Sequence, residues 1–358
     1  MLFRIQPVEG RGNGVVATSN ITKGARIHAE SPFITLPSLD DAPNPQALSE
    51  LVLQQLRSAT RDEQRAFFSL TNIHGNNMPI ILGVVQTNAL AFGPGGEGGV
   101  FLTGSQFNHN CLPSACSKWN SDLGMMTVHA LRDIEEGEEI TITYINFETH
   151  DVRQKTLYDG FQFICTCETC TLPQDMVNEM DADIQEIKNI DLHLKSSNLP
   201  LDESLGLAYR QRYLIESKSL DLAHAPDTYD LVAKLAAIRQ DYTRAKIFSE
   251  RHLAVVMTEG GPDHPDTKRQ QEMDDYLASI LEKHYGPRIP YHFPLFEVES
   301  WLWMQHQLPP EVYEGEGESE EGDSQDTTDE SGYDGSSEEE QGVWSADEND
   351  TFDVEALD

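Results

Sequence analysis

Three of the five cysteines in this 358-residue chain fall within six positions, as Cys165, Cys167 and Cys170. A turn through such a C-x-C-x2-C segment folds the three sulfurs inward, where they can bind one metal ion. Structural zinc is tetrahedral and requires four ligands, so Cys111, Cys116 or a histidine has to supply the fourth. The odd number and the clustering argue against a secreted disulfide framework. We therefore predict a structural zinc site, with a group of free buried thiols as the alternative.

The acidic charge is concentrated at one end of the chain. The formal net charge is −36, but residues 311–358 hold 20 of the 61 acidic residues and none of the basic ones, which leaves −16 for the remainder. Such a segment cannot bury enough apolar surface to offset its ordering entropy, so a disordered acidic tail is predicted there. The remaining negative charge disfavours direct binding of nucleic acid and favours basic partners through salt-sensitive attraction.

Apolar runs are short throughout the sequence. None approaches the ~20 residues that span a bilayer, and the N-terminal residues lack the long apolar core of a signal peptide. The chain is therefore predicted to be intracellular, in the nucleus, the cytoplasm or both, without a membrane partner.

Strand patterns occur at both ends of the first 145 residues. Residues 15–17 and 26–28 are β-compatible and flank a Lys23-Gly24 turn, and residues 125–129 and 140–144 are further strand candidates. These segments predict a β-rich domain.

The residues between these strands have a different pattern. Apolar spacing over residues 45–71 predicts two short helices. The apolar run at 79–85 fits a buried strand or a helix equally well. Residues 93–99 (GPGGEGG) are predicted to be a flexible glycine loop. We therefore expect a largely helical insert over about residues 40–98.

Beyond residue 173 the pattern is helical up to about residue 310. Asp227 or Thr228 can cap one helix, for which Leu231, Leu235 and Ile238 are the predicted apolar face. Paired helices of this kind resemble tetratricopeptide (TPR) hairpins, although about one convincing pair is present.

Three other segments combine residue types that occur in binding sites. Residues 10–14 read G-R-G-N-G, residues 107–113 read F-N-H-N-C-L-P, and residues 137–144 read G-E-E-I-T-I-T-Y. Taken singly, they fit a hairpin turn, a buried histidine and a half-buried strand with a packed tyrosine.

Taken together and in this order, the four motifs resemble those of SET-domain proteins, and more narrowly the SMYD-like and fungal SET proteins. The resemblance covers residues 1–172 and implies a SET domain built from small β-sheets with a threaded pseudoknot and a post-SET zinc cluster at 165–170. The whole chain is then an α+β protein, with an α-helical, TPR-like domain at 173–310 and the tail at 311–358. No cysteine precedes Cys111, so the MYND zinc finger common in SMYD proteins is absent from these residues.

The resemblance also implies roles for single residues. Catalytic roles fall to Tyr144, where the methyl group leaves sulfur, and Phe161, the second aromatic wall of a lysine channel. Binding of S-adenosylmethionine falls to Gly12, Asn13, Gly14, Asn108, His109 and Phe163. The family takes the fourth zinc ligand from the N-H-x-C cysteine, so the implied ligands are Cys111, Cys165, Cys167 and Cys170. Asn110 and Ser114 depart from the family pattern, which has serine and asparagine there.

The implied activity is S-adenosylmethionine-dependent methylation of a protein lysine, by in-line transfer to a deprotonated amine in an aromatic channel. The substrate would be a histone or a non-histone protein. The alternatives are a SET-fold scaffold without turnover that acts in protein–protein interaction, and a zinc-dependent interaction module. The last leaves the motifs at 12–14 and 137–144 unexplained.

Overall fold

The computed structural model describes residues 2–38, 44–92, 96–196, 199–217, 227–285 and 295–304. The strands within them are β1 (Phe3–Val8), β2 (Gly12–Ala17), β3 (Arg26–Glu30), β4 (Ile34–Leu36), β5 (Ala89–Phe92), β6 (Glu97–Val100), β7 (Asn108–His109), β8 (Ala115–Asn120), β9 (Met125–Ala130) and β10 (Glu139–Ile142). The helices are α1 (Pro45–Ser58), α2 (Arg61–Phe68), α3 (Ile80–Asn88), α4 (His150–Phe161), α5 (Gln174–Ser196), α6 (Leu201–Ser217), α7 (Thr228–Ile238), α8 (Tyr242–Gly260), α9 (Pro265–Tyr285) and α10 (Leu295–Leu302), and a 3₁₀ helix spans Gly104–Gln106.

The strands form three small sheets, with orders β1-β2-β10-β7, β3-β9-β8 and β4-β6-β5. They surround one apolar core in which Val15, Val128 and Ile140 are almost fully buried. The predicted β-rich domain is therefore confirmed.

The first sheet brings distant motifs together. The glycine-rich segment forms the β1–β2 hairpin, and β10 pairs antiparallel with β2. On its other side β10 pairs parallel with β7, so that Thr141 lies opposite Asn108 and Ile142 opposite His109. The residues that follow β10 therefore leave the sheet beside the Asn-His motif.

A helical insert packs against the third sheet. The two predicted short helices are confirmed as α1 and α2, and each begins at a side-chain cap. The Asn44 Oδ1 accepts the Ala47 N–H at 2.9 Å, and Thr60 forms a reciprocal capping box with Glu63. The buried faces of α1, α2 and α3 share a cluster with β4 and β6, formed by Ile34, Val52, Leu56, Phe67, Leu70, Val84, Val85 and Val100.

The ambiguous apolar run at 79–85 is the start of helix α3. A side chain at Gly83 would place its Cβ 2.4 Å from the Asn72 Oδ1. The loop before α3 thus lies directly against the helix surface at this glycine, which hydrophobic periodicity alone does not reveal.

The C-terminal helices dock on the second sheet through the α8–α9 turn. The Lys118 Nζ lies 2.6 Å from the Glu259 carboxylate, and the Asn120 amide donates to the Asp263 carbonyl at 3.3 Å. Arg26 pairs with Asp263 from β3. Charged and backbone contacts therefore fix the helical region against the β-rich part.

The structure corrects two of the secondary-structure predictions, those for the glycine loop and for the buried face of α7. Residues 97–99 of the predicted glycine loop belong to β6, because the small residues there let β4 and β5 pair on both sides; residues 93–95 lie outside the described residues. In α7 the buried apolar residues are Val232, Ala233 and Ala236. Of the predicted apolar face, Leu231 is half-buried against the core, whereas Ile238 is 69% exposed. The tail predicted at 311–358 also lies outside the described part of the chain. No helix among the described residues is long and apolar enough to cross a membrane.

Candidate active site and metal centre

A cavity of about 540 Å³ opens where the first sheet meets the insert and the end of α4. The predicted site residues that line it are Gly12, Asn13, Asn108, His109, Tyr144, Phe161 and Phe163. Ligand pockets in proteins have volumes of roughly 300–1,000 Å³, so this space fits a cofactor with part of a substrate side chain.

Gly14 is not among the described residues that line the cavity, but its position explains the glycine. An added Cβ would lie 2.6 Å from the Glu139 Oε1, 2.7 Å from the Val8 Cγ2 and 2.9 Å from the Asn108 Nδ2. The absence of a side chain at residue 14 therefore allows Glu139 and Asn108 to approach the hairpin backbone. Gly12 has a φ of +73°, the left-handed conformation that glycine adopts without strain.

Glu139 organises the polar wall of the cavity. Its carboxylate pairs with the Arg11 guanidinium at 2.7 Å and accepts the Asn108 side-chain amide at 2.7 Å. The same amide group also donates to the Asn13 carbonyl at 3.0 Å. Since both amide hydrogens of Asn108 are directed at protein acceptors, its Oδ1 is the atom left to accept a hydrogen bond from a ligand. Arg11 and Glu139 were not predicted, since their partners are far away in sequence.

Both ring nitrogens of His109 are engaged by the protein. The Nδ1 accepts the Tyr144 backbone N–H at 3.1 Å, and the Nε2 lies 3.4 Å from the Cys111 Sγ. Burial lowers the pKa of His109 to about 4, so the ring is neutral near pH 7. With Nδ1 accepting, the neutral ring carries its hydrogen on Nε2 and directs it at the Cys111 sulfur.

The Tyr144 hydroxyl lies at an aromatic wall of the cavity. It donates to the Phe107 carbonyl at 2.6 Å, and the Tyr144 and Phe161 ring centroids are 4.8 Å apart. Phe163 lies beyond Phe161, at 6.5 Å between centroids. Burial raises the pKa of Tyr144 and the charge of Glu139 adds to this effect, so the phenol stays protonated well above neutral pH.

Four cysteines converge beside this wall. The sulfurs of Cys111, Cys165, Cys167 and Cys170 all lie within 4.8 Å of one another, and no cysteine forms a disulfide. The Cys111 Sγ is 4.0 Å from the Cys165 Sγ and 3.5 Å from the Cys170 Sγ. Four sulfurs at about 2.3 Å from a tetrahedral zinc ion lie about 3.8 Å apart, so the cluster fits a structural zinc site.

The surroundings of the cysteine cluster suit its charge. Zinc bound by four thiolates carries a net charge of about −2. The buried Arg153 directs its Nη2 at the Cys170 Sγ at 3.9 Å, and the N–H of His109 faces Cys111. Cys116, the remaining candidate for the fourth ligand, lines a different cavity, and burial raises its pKa to about 12.

The insert supplies part of the cavity wall that the sequence did not indicate. Thr71, Ile73 and Asn88 line the cavity. The Asn88 amide donates to the Thr71 carbonyl at 2.6 Å and to the Val84 carbonyl at 2.8 Å, which holds the loop before α3 against the helix. In the sequence, the polar Asn88 at the end of an otherwise apolar run was the signal that could have indicated this part of the wall.

Comparison with known proteins shows to which family this chain belongs. Residues 12–145 match the SET domain. The histone-lysine N-methyltransferase set5 of Schizosaccharomyces pombe is 32% identical over 318 residues, covering 84% of this chain and 94% of that protein. The chain belongs to the SET-domain family. The S. pombe relative is named a lysine methyltransferase, and the similarity extends over most of both chains, so this chain belongs to the lysine methyltransferases of that family.

Shorter similarities to other SET-domain proteins exist. The histone-lysine N-methyltransferase ATXR4 of Arabidopsis thaliana is 42% identical over 82 residues, which cover 21% of this chain and 24% of that protein. The human protein-lysine N-trimethyltransferase SMYD5 is 33% identical over 84 residues, covering 22% of this chain and 20% of that protein.

The two departures from the SET signature have local structural explanations. The Asn110 Oδ1 accepts the Leu112 N–H at 2.9 Å and stabilises the turn after β7. The buried Ser114 hydroxyl accepts the Thr141 N–H at 3.0 Å. Both residues therefore support the junction between β7 and β10 and lie outside the cavity lining among the described residues.

Proposed function

We propose that this SET-domain protein transfers a methyl group from S-adenosylmethionine to the side-chain amine of a protein lysine. The observation that carries the proposal is the Tyr144 hydroxyl, which is fixed on the Phe107 carbonyl beside the Phe161 ring and in the same cavity as Asn108. A polar wall for a cofactor and an aromatic wall for an amine are thus adjacent.

The polar wall fits the methionine part of the cofactor. The Asn108 Oδ1 is the acceptor for an ammonium group, and the backbone of Gly12 and Asn13 is open enough to approach a ligand closely. When bound, S-adenosylmethionine supplies an electrophilic methyl group on a sulfonium. The ring nitrogens of His109 are occupied by Tyr144 and Cys111, so we expect His109 to meet the adenine through its backbone or ring face. Phe163 is proposed to pack against the adenine.

The aromatic wall has to accept a neutral amine, because only the neutral form has a lone pair for the attack. A free lysine has a pKa of about 10.4, so neutralising it at pH 7 costs about 4.6 kcal/mol. A dry aromatic channel next to a cationic sulfonium lowers that pKa by desolvation and by like-charge repulsion. The chain then needs no strong general base. Tyr144 and Phe161 would hold the amine in line with the methyl group, where alignment lowers the barrier.

The protein substrate is expected to present its lysine in a basic segment. The negative charge of the chain attracts such segments over long distances. Histones meet this requirement and are the substrates given in the names of set5 and ATXR4. Lysine-rich non-histone proteins meet it as well.

The test is transfer of labelled methyl groups from S-adenosylmethionine into purified histones and into the proteins of a cell extract. Wild type and Tyr144→Phe are compared, with the unfolding temperature and cofactor affinity of both proteins as controls. We expect labelled protein with wild type and a loss of at least about 100-fold with the variant, the scale of a misaligned reacting group. Full activity of a folded Tyr144→Phe protein would refute the mechanism. If wild type neither labels any protein nor binds S-adenosylmethionine, the scaffold without turnover is favoured instead.

A further inference from the structure

The 3₁₀ helix connects the cavity wall to the tyrosine hydroxyl. Gly104–Gln106 lines the cavity, and the next residue, Phe107, provides the carbonyl that accepts the Tyr144 hydroxyl. The position of that carbonyl oxygen therefore depends on how firmly the turn is held.

Glu30, at the end of β3, holds the start of this turn. No side chain of the turn itself caps its N-terminal end. Instead, the Glu30 carboxylate accepts the Thr103 N–H at 3.1 Å and the Gly104 N–H at 2.8 Å. The first N–H groups of a helical turn lack internal partners, and a carboxylate there is electrostatically favourable. Glu30 thus caps the turn from a strand 73 residues earlier in the chain.

His28 lies on the same face of β3, two residues before Glu30. Its Nε2 is 3.1 Å from the Glu30 Oε2, and its ring centroid is 6.3 Å from that of Phe107. The Phe3 ring centroid lies 5.6 Å from that of His28 and 6.0 Å from that of Phe107, so the three rings form one cluster. One strand face therefore contacts both the beginning and the end of the turn.

The turn is confined on its other sides. A Cβ on Gly104 would lie 2.3 Å from the Met126 Cε, so the backbone packs directly on β9. The Ser105 hydroxyl donates to the Asn88 carbonyl at 3.2 Å. Glu30 is the only charged group among the described residues with a hydrogen bond to the backbone N–H groups of this turn.

We infer that Glu30 is a positioning residue for the proposed methyl transfer, because its carboxylate fixes the turn that presents the Phe107 carbonyl to the Tyr144 hydroxyl. Glu30 is not among the described residues that line the cavity, so it acts through the turn. This inference rests on the proposed function for its effect on rate. Its effect on the turn stands independently of activity.

The test compares Glu30→Gln with wild type in the full chain. Glutamine keeps the shape of the side chain but turns one acceptor oxygen into an amide that faces N–H donors. The matched control is Glu259→Gln, which removes another half-buried carboxylate from an ion pair, at the α8–β8 contact. Three quantities are measured for each protein. They are the amide hydrogen exchange of residues 103–107 relative to the β8–β9 hairpin, the affinity for S-adenosylmethionine, and kcat and KM for the protein substrate that wild type methylates in the labelling assay.

For Glu30→Gln we expect exchange at 103–107 to accelerate at least tenfold and kcat to fall at least tenfold, while cofactor affinity and KM change by less than threefold. The control should leave exchange at the turn and kcat near wild type. Unchanged exchange at 103–107 would overturn the inference whether or not the protein methylates anything. Faster exchange with an unchanged kcat in an active enzyme would also overturn it. If wild type is inactive, the proposed function fails, and accelerated exchange still supports Glu30 as the anchor of the turn.

Discussion

Gly14→Ala should disrupt the cofactor wall without placing any atom in the cavity. Its Cβ would come within 3.0 Å of Glu139, Val8 and Asn108, so at least one of them has to move. Overpacking of this kind costs about 1–3 kcal/mol, and a weakened Asn108 bond to the charged Glu139 costs about 1.5–3 kcal/mol. If Asn108 or Glu139 moves away, the overpacking is relieved but their hydrogen bond is weakened, so the two costs do not add in full. We therefore expect a total loss of about 2–3 kcal/mol in the free energy of unfolding.

The assay combines thermal unfolding with calorimetric titration of S-adenosylmethionine. At roughly 2–4 °C per kcal/mol, the unfolding temperature should fall by about 4–12 °C. A displaced Asn108 that loses about 1.4 kcal/mol of its contact weakens cofactor binding about tenfold.

Gly160→Ala is the matched control for Gly14→Ala. Gly160 lies inside helix α4, and an added Cβ there meets nothing within 4 Å. It should therefore leave affinity unchanged and add about 0.5–1 kcal/mol of stability. A Gly14→Ala protein with wild-type affinity and unfolding temperature would refute the close-approach explanation of this glycine.

Two further predictions concern the metal centre and the domain contact. Cys111→Ser should lose most of its bound zinc in elemental analysis and unfold at a lower temperature, whereas Cys116→Ser should retain it; equal zinc in both variants would contradict the assigned ligands. His129 is fully buried, and burial together with Arg26 lowers its pKa from 6.5 to about 4. The unfolded chain therefore takes up the proton first, and stability should fall by up to about 3 kcal/mol as the pH drops from 6.5 to 4. Chemical denaturation across this range should show a shallower fall for His129→Gln; an identical slope would contradict the assignment.

Local patterns in the sequence predicted those features that depend on neighbouring residues. The helices α1 and α2 and the strands β2 and β3 are determined by residues a few positions apart. Likewise, three of the four clustered cysteines lie within one turn. The fourth ligand was left open by the residues themselves, because Cys111, Cys116 and the histidines were all candidates that only the fold separates.

The face that α7 buries could not be predicted in this way. Its sequence, TYDLVAKLAAI, is apolar on nearly every side, so periodicity gives no clear preference between Leu231-Leu235-Ile238 and Val232-Ala233-Ala236. The smaller residues are buried because α8 packs closely on α7 through Ala245 and Phe248. The roles of Arg11, Glu30 and Glu139 could not be predicted either, because each depends on a contact that is distant in sequence: Arg11 and Glu139 are 128 positions apart, Glu30 and Thr103 are 73 apart, and Glu139 and Asn108 are 31 apart.

Strand β7 shows why the metal centre and the transfer site are one structural unit. Successive side chains of a strand point to opposite faces, so Asn108 faces the cavity while the His109 ring reaches the Cys111 sulfur. His109 also accepts the Tyr144 backbone N–H. Zinc binding makes Cys111 a thiolate, a stronger acceptor for the His109 N–H than a neutral thiol. The bond orients the imidazole, and the imidazole in turn holds the backbone of the tyrosine. A structural metal ion would in this way influence the position of the Tyr144 hydroxyl.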